Sequence, residues 1–217
     1  MSLANTATRY GAVAKSLHWL TALLILALIP SGIIANGLAY DTPEALARKA
    51  QLFSIHKTMG VLLFAVAVIR ILWALTQPKP TPLHPERKGE QFLAATAHWL
   101  LYGSLVLVPL SGWIHHAATE GFAPILLPIS QDLPFVPKSE TLAGVTASLH
   151  ITFERVLVVA LLLHIAGALK HHFVDRDVTL TRMWFGKTEG GSGIKPGGVF
   201  APLLGACAAW VVAIGIG

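Results

Sequence analysis

Ten histidines stand in a chain of 217 residues that is 54% hydrophobic and only 12% charged. Neutral imidazole is the commonest metal ligand, and it gains or loses a proton near neutral pH. His18, His56, His150 and His164 fall inside long apolar runs, where ionisable side chains are expensive and usually functional. His150 and His164 are fourteen residues apart. On a helix that spacing is close to four turns, so they share a face and lie about 21 Å apart along the axis. His18 starts the first run and His56 the second, which travels the opposite way. The four therefore sort into two depths, His18 with His164 and His56 with His150. This pattern suits two haems stacked along one set of helices, each held by two facing imidazoles. Bis-histidine ligation leaves no open iron position, so such a site passes electrons rather than binding oxygen. A zinc or copper site would gather more ligands at one depth. One buried histidine is usually just a hydrogen-bonded side chain, but four at two matched depths are harder to explain that way.

The other candidates leave alternatives open. His98, on the third run, competes with His18 and His164. His115 and His116 end the third run, and His171 and His172 end the fourth beside Lys170. The latter two are either interfacial or donors of protons and hydrogen bonds to a quinone headgroup. Arg70 closes the second run, as an anchor in the headgroups or as a partner for a haem propionate. His84 lies in a Pro-rich loop and reads as solvated. The single cysteine, Cys207, forms no intrachain disulfide. No C-x-x-C-H occurs for covalent haem attachment, and an iron–sulfur cluster lacks its thiolates.

These side chains need elements to position them. Mean hydropathy is +0.63, and soluble domains carry about twice this charge. A bilayer core takes about 20 apolar helical residues. Residues 16–38, 53–76, 91–116 and 147–172 meet that, and 199–216 form a shorter fifth candidate. Asp41-Thr-Pro-Glu44 reads as the cap of a short helix ending at Lys49. Pro78, Pro80, Pro82 and Pro85 make an extended connection. Residues 121–138, with four prolines, form an irregular loop, and 188–198 a flexible Gly-rich linker. The first run is too long for a usual secretory signal and contains His18. The formal charge of +5 sits in loops and argues topology rather than nucleic acid. With the N-terminus cytoplasmic, eleven Lys and Arg face inward, Lys187 among them, and five outward: Arg48, Lys49, Lys57, Lys138 and Arg155.

Across residues 8–186 the chain resembles the prokaryotic cytochrome b561 family. The matching pieces are Ser16-Leu-His-Trp19, Ile55-His-Lys-Thr-Met-Gly60 and Arg70. Ala97-His98, Tyr102 and Leu107-Val-Pro-Leu-Ser-Gly112 follow, then Leu149-His150 and Leu163-His164. Ala168-Leu-Lys-His-His-Phe173 and Asp177-Val-Thr-Leu-Thr-Arg-Met183 complete the set. The resemblance implies an all-α membrane four-helix bundle with two b haems. It puts axial ligands at His18 and His164 for the inner haem and at His56 and His150 for the outer. It also implies electron passage between the periplasmic face and ubiquinone in the bacterial inner membrane, as a superoxide oxidase, with His171 and Arg182 toward the quinone.

The expected organisation is a di-haem transmembrane domain over 1–187, a linker over 188–198 and a candidate fifth span over 199–217. Two other uses of the same residues stand beside the first. One is quinol oxidation feeding a periplasmic redox partner or fused domain. The other is a haem or metal transporter or sensor.

Overall fold

The computed structural model describes residues 2–120, 123–184, 186, 188–195 and 197–216. Lys187, one of the inward charges, lies outside the described residues. Among those described there is no strand. The helices are α1 Ala12–Gly37, α2 Pro43–Thr76, α3 Lys88–Ala118, α4 Glu140–Lys170, α5 Thr179–Arg182 and α6 Phe200–Ile216. A π-helical turn, His171–Asp175, continues α4. Among the described residues, four helices are long and apolar enough to cross a membrane. In hydrocarbon every backbone N–H and C=O must be satisfied within the segment, which is why these runs are helical. Their surfaces are correspondingly apolar, with Leu23, Ile33, Leu72 and Leu162 exposed.

The boundaries differ from the expected ones where polar residues continue a helix. The turn at Thr42-Pro43 does start a helix: Thr42 Oγ1 accepts the Ala45 N–H at 3.1 Å, and proline suits the first helical position. That helix does not stop at Lys49. It runs on as α2 for 34 residues, because nothing between Lys49 and Phe53 breaks it. Similarly, α4 begins at Glu140, where Ser139 Oγ accepts the Leu142 N–H at 3.3 Å. The fifth candidate is helical over 17 residues. That is about 26 Å at 1.5 Å per residue, a little short of a bilayer core of about 30 Å.

The chain divides into two compact units. The terminal unit holds the residues up to Trp19, Val68–Ser104 and everything from Thr152 onward. The middle unit holds Leu20–Ala67 and Leu105–Ile151.

Within the terminal unit, backbone hydrogen bonds knit together three segments that looked irregular. Thr81 N–H donates to Ala7 O at 2.9 Å, Gly190 N–H to Thr8 O at 3.0 Å and Ser192 N–H to Pro82 O at 2.9 Å. The Gly-rich stretch is thus pinned where it was expected to hang free. Its glycines permit this: a Cβ on Gly191 would collide with Thr81 Oγ1. Beyond it, α6 lies on α3 and α4. Trp210 packs where a Cβ on Gly103 would be 3.2 Å from its Nε1, and its ring meets Phe153 edge-on at 5.2 Å.

Within the middle unit the described part of the Pro-rich loop folds onto α2 and α3. Leu126 N–H donates to Thr58 Oγ1 at 2.9 Å, and Trp113 Nε1 donates to Gln131 O at 3.2 Å. Lys57 Nζ donates to Ala123 O at 2.5 Å and to Gln131 Oε1 at 3.3 Å.

Candidate functional site

The middle unit brings His56 of α2 and His150 of α4 face to face, with ring centroids 6.4 Å apart. Each ring is seated by a Pro/Ser/Gly sequence on a neighbouring helix. On α1 this is Pro30-Ser31-Gly32, and on α3 it is Pro109-Leu-Ser-Gly112. Ser31 Oγ donates to Leu28 O at 2.9 Å, which uses its only proton. Its contact with His56 Nδ1 at 3.0 Å therefore has the imidazole N–H donating. On the other side His150 Nδ1 lies 2.8 Å from Val108 O. A carbonyl only accepts, so Nδ1 again carries the proton. Both Nε2 atoms are left with a free lone pair, the state a metal needs. Fixing the tautomer through the distal nitrogen is how proteins commonly orient ligating histidines.

The glycines make the approach possible. A Cβ on Gly32 would be 2.9 Å from His56 Cε1, and one on Gly112 would be 2.9 Å from His150 Nδ1. Gly112 is one turn beyond Val108, so its missing side chain uncovers the carbonyl that His150 uses. In the sequence Leu107–Gly112 stands out as a motif but not in this role, and Ser31 and Gly32 do not stand out. The visible signal was the same Pro, Ser, Gly order on two helices.

The terminal unit brings His18 of α1 and His164 of α4 together, with centroids 6.1 Å apart. Here the surroundings differ. Arg70 Nη2 lies 3.2 Å from His18 Nδ1. A guanidinium only donates, so this contact makes Nδ1 the acceptor and puts the imidazole proton on Nε2. Arg70 also lies over the Tyr102 ring, 5.5 Å from its centroid. His98 is close by, 5.0 Å edge-on to His164, with its Nδ1 donating to Ala94 O at 2.6 Å.

Both pairs can be tested for their fit to an iron. With metal–nitrogen bonds of about 2.0–2.1 Å, two axial imidazoles put their centroids about 6.3 Å apart. The His56/His150 and His18/His164 pairs match this at 6.4 and 6.1 Å. His98 with His164, at 5.0 Å, is about 1.3 Å short of that opposed spacing. The residues thus fit two bis-imidazole sites, and His98 stands beside the second. When haem is bound there, His18 and His164 would hold the iron, with Arg70 near enough to meet a propionate.

His115 and His116 stay in the middle unit, where His115 Nδ1 donates to Ala143 O at 2.8 Å. His171 and Arg182 both lie in the terminal unit but face different neighbours. His171 meets the Asp177 carboxylate at 2.7 Å. Arg182 is buried over Tyr10, 5.6 Å from the ring centroid, and donates to Thr81 O at 3.3 Å. Burial pushes the Tyr10 hydroxyl up from its ordinary pKa, against the pull of Arg182. His84, expected to be solvated, bonds Asp177 at 3.1 Å.

Four apolar spans that hold two pairs of facing imidazoles define a membrane electron-transfer protein. Residues 9–186 match the family model described as prokaryotic cytochrome b561, and the chain belongs to that family. The family binds haem b. The chain is 32% identical over 195 residues to cytochrome b561 homolog 2 of Escherichia coli K12, covering 89% of this chain and all of that one. It is 26% identical over 180 residues to the probable superoxide oxidase CybB of Yersinia pestis, covering 81% and 95%. Against cytochrome b561 homolog 1 of E. coli K12 the figures are 23% over 175 residues, 81% and 96%.

Proposed function

We propose that this chain carries electrons across the bacterial inner membrane from superoxide to ubiquinone through two b haems. The reading has His56 and His150 as axial ligands of the outer haem, and His18 and His164 as those of the inner haem. The N-terminus is cytoplasmic, and quinone meets the end of α4 near His171. The observation that carries it is the pair of imidazole spacings, both right for hexacoordinate iron and both on one continuous helix, α4. When bound, the haems supply one-electron chemistry. The protein's own part is to hold each imidazole in place and to exclude exchangeable ligands. The relative named as a probable superoxide oxidase supports the choice of donor.

The positive charges on the proposed outer side give limited support to anion steering. Lys57 is buried against loop acceptors. Lys138 pairs with Asp132 at 2.7 Å, and Lys49 donates to the carbonyls of Asn36 and Leu38. Arg48 and Arg155 are the remaining cations of the five. A second reading, quinol oxidation feeding a domain beyond α6, is favoured by one feature: α6 packs against α3 and α4 as an integral helix.

Stopped-flow mixing of oxidised, haem-loaded protein with superoxide decides between them. Millisecond haem reduction, followed by reoxidation when ubiquinone is added, is expected. Reduction by ubiquinol but not by superoxide would overturn the donor and favour the second reading. A spectrum showing exchangeable, pentacoordinate haem would instead point to a transporter or sensor.

A further inference from the structure

The end of α4 is built in a way that one quinone-contacting histidine does not require. His171 opens a π-helical turn, a feature that often marks functional positions. Arg176 then takes a left-handed conformation, φ 53° and ψ 38°, with its N–H bonded to His171 O. Asp177 N–H reaches the same carbonyl at 3.1 Å. The reversal swings the Asp177 side chain back, so that its Oδ2 lies 2.7 Å from His171 Nδ1. The same oxygen lies 3.1 Å from Nε2 of His84, in the Pro-rich connection between α2 and α3. The two imidazole planes are within 10° of parallel, with centroids 6.4 Å apart. A single carboxylate oxygen thus joins two histidines that are 87 residues apart in sequence.

The groups around this triad are mostly committed elsewhere. Asp175 lies 3.1 Å from His171 Nδ1, but it is held by Lys170 at 3.0 Å and Arg87 at 3.1 Å. Glu90 is likewise paired with Lys170 at 2.6 Å and Arg87 at 3.5 Å. Glu90, His171 and Asp175 are spaced for a cation, but the Lys170 ammonium already takes that role. Glu86 stands 3.4 Å from His84 Nδ1, and Arg182 acts on Asp177 through its charge. Burial raises the Asp177 carboxyl, but hydrogen bonds from Thr179 and then His171 outweigh it and hold its pKa at about 2. It is therefore an acceptor at working pH. His84 is the most exposed of the three, at 31% against 12% for Asp177 and 23% for His171.

We propose that His84, Asp177 and His171 form a proton-entry relay for quinone reduction, with His84 at the water side and His171 at the quinone. This rests on the assignment of the quinone to His171. Reducing quinone to quinol takes two electrons, supplied as reduced haem iron is oxidised, and two protons, supplied by water. For the proton the relay carries, a water O–H bond breaks as His84 Nδ1–H forms, and the His84 Nε2–H bond breaks as an Asp177 O–H bond forms. The Asp177 O–H bond then breaks as His171 Nδ1–H forms, while His171 Nε2–H breaks and a quinone O–H forms. This leaves His171 with its Nδ1–H on the Asp177 carboxylate, the arrangement in the structure. For the second proton a water O–H bond breaks as His171 Nε2–H forms, and that Nε2–H breaks as the second quinone O–H forms, leaving hydroxide. No other co-reactant is needed.

The test uses haem-loaded protein, reduced beforehand and mixed with a water-soluble short-chain ubiquinone. Haem reoxidation is followed from pH 6 to pH 9 in the wild type and in His84→Gln, which keeps a hydrogen bond to Asp177 but carries no titrating proton. The expected result is a roughly tenfold slowing at pH 8, modest for the loss of a general acid. It should shrink toward pH 6, be restored by added imidazole and leave the quinone-concentration dependence unchanged. An unaltered pH profile overturns the relay. So does a loss that is equal at every pH and not rescued by imidazole, since that marks a structural role for His84. If wild-type haems are not reoxidised by ubiquinone at all, the quinone assignment itself fails and the relay falls with it.

Discussion

The two histidine pairs have nearly the same ring separation but are held in different ways. In the middle unit, both Nδ1 atoms donate to fixed acceptors, Ser31 and Val108, and a glycine seats each ring. In the terminal unit, Arg70 donates to His18, His164 has His98 edge-on, and no glycine among the described residues seats either ring. The middle pair is preorganised for iron, with lone pairs already free on Nε2. In the terminal pair as proposed, Arg70 would have to leave His18 Nδ1 before Nε2 could give its lone pair to a metal. Equal spacing therefore does not mean equal readiness, because tautomer and second-sphere hydrogen bonds decide how a histidine binds.

This contrast can be broken, and the largest effect comes from removing a ligand. His56→Ala and His150→Ala should each lose the same haem, dropping haem content to about half by pyridine haemochrome assay, as a bis-imidazole site needs both ligands. His18→Ala and His164→Ala should lose the other. Different haems lost from His56→Ala and His150→Ala would dissolve the pairing.

Next come the seats. Gly32→Ala and Gly112→Ala put a Cβ 2.9 Å from a ring atom, so each should strip or displace the middle-unit haem and spare the terminal one. Gly60→Ala and Gly144→Ala, which meet nothing within 4 Å, serve as controls and should change neither low-spin spectrum. Ser31→Ala removes the acceptor for His56 Nδ1. It should weaken the middle-unit haem about tenfold in a haem-transfer competition, as such partners typically contribute.

On the terminal side, Arg70→Leu removes a positive charge beside His18 and should favour the ferric state. Its haem should fall by about 60 mV in a redox titration, one decade for a one-electron couple, with haem content kept. The smallest effect is expected from His98→Leu, which should retain both haems. Loss of the terminal-unit haem in that variant would make His98 a ligand in place of His18.

Much of this was legible from the chain itself. Apolar runs of bilayer length located four helices, because in hydrocarbon the backbone has few alternatives. The spacing of His150 and His164 put them on one face, and opposite chain directions matched His18 and His56 to them. Other features were not legible. Lys49 seemed to end a short helix, but a polar first turn can lead straight into a span. Residues 188–195 looked free, yet their glycines let the backbone pair with Thr8 and Pro82. His84 looked solvated because nothing local reveals an aspartate 93 residues away.

By itself, then, the sequence determined a membrane protein, its four spans and that His150 and His164 share a helix face. Those follow from local periodicity and composition, which every residue carries in its own neighbourhood. Only the tertiary structure decided that His98 and His164 lie closer than two opposed ligands of one iron, that Gly32 and Gly112 admit the rings, and that Asp177 joins His84 to His171. Each of these is a distance of a few ångströms between segments far apart in the chain, and only packing decides such distances.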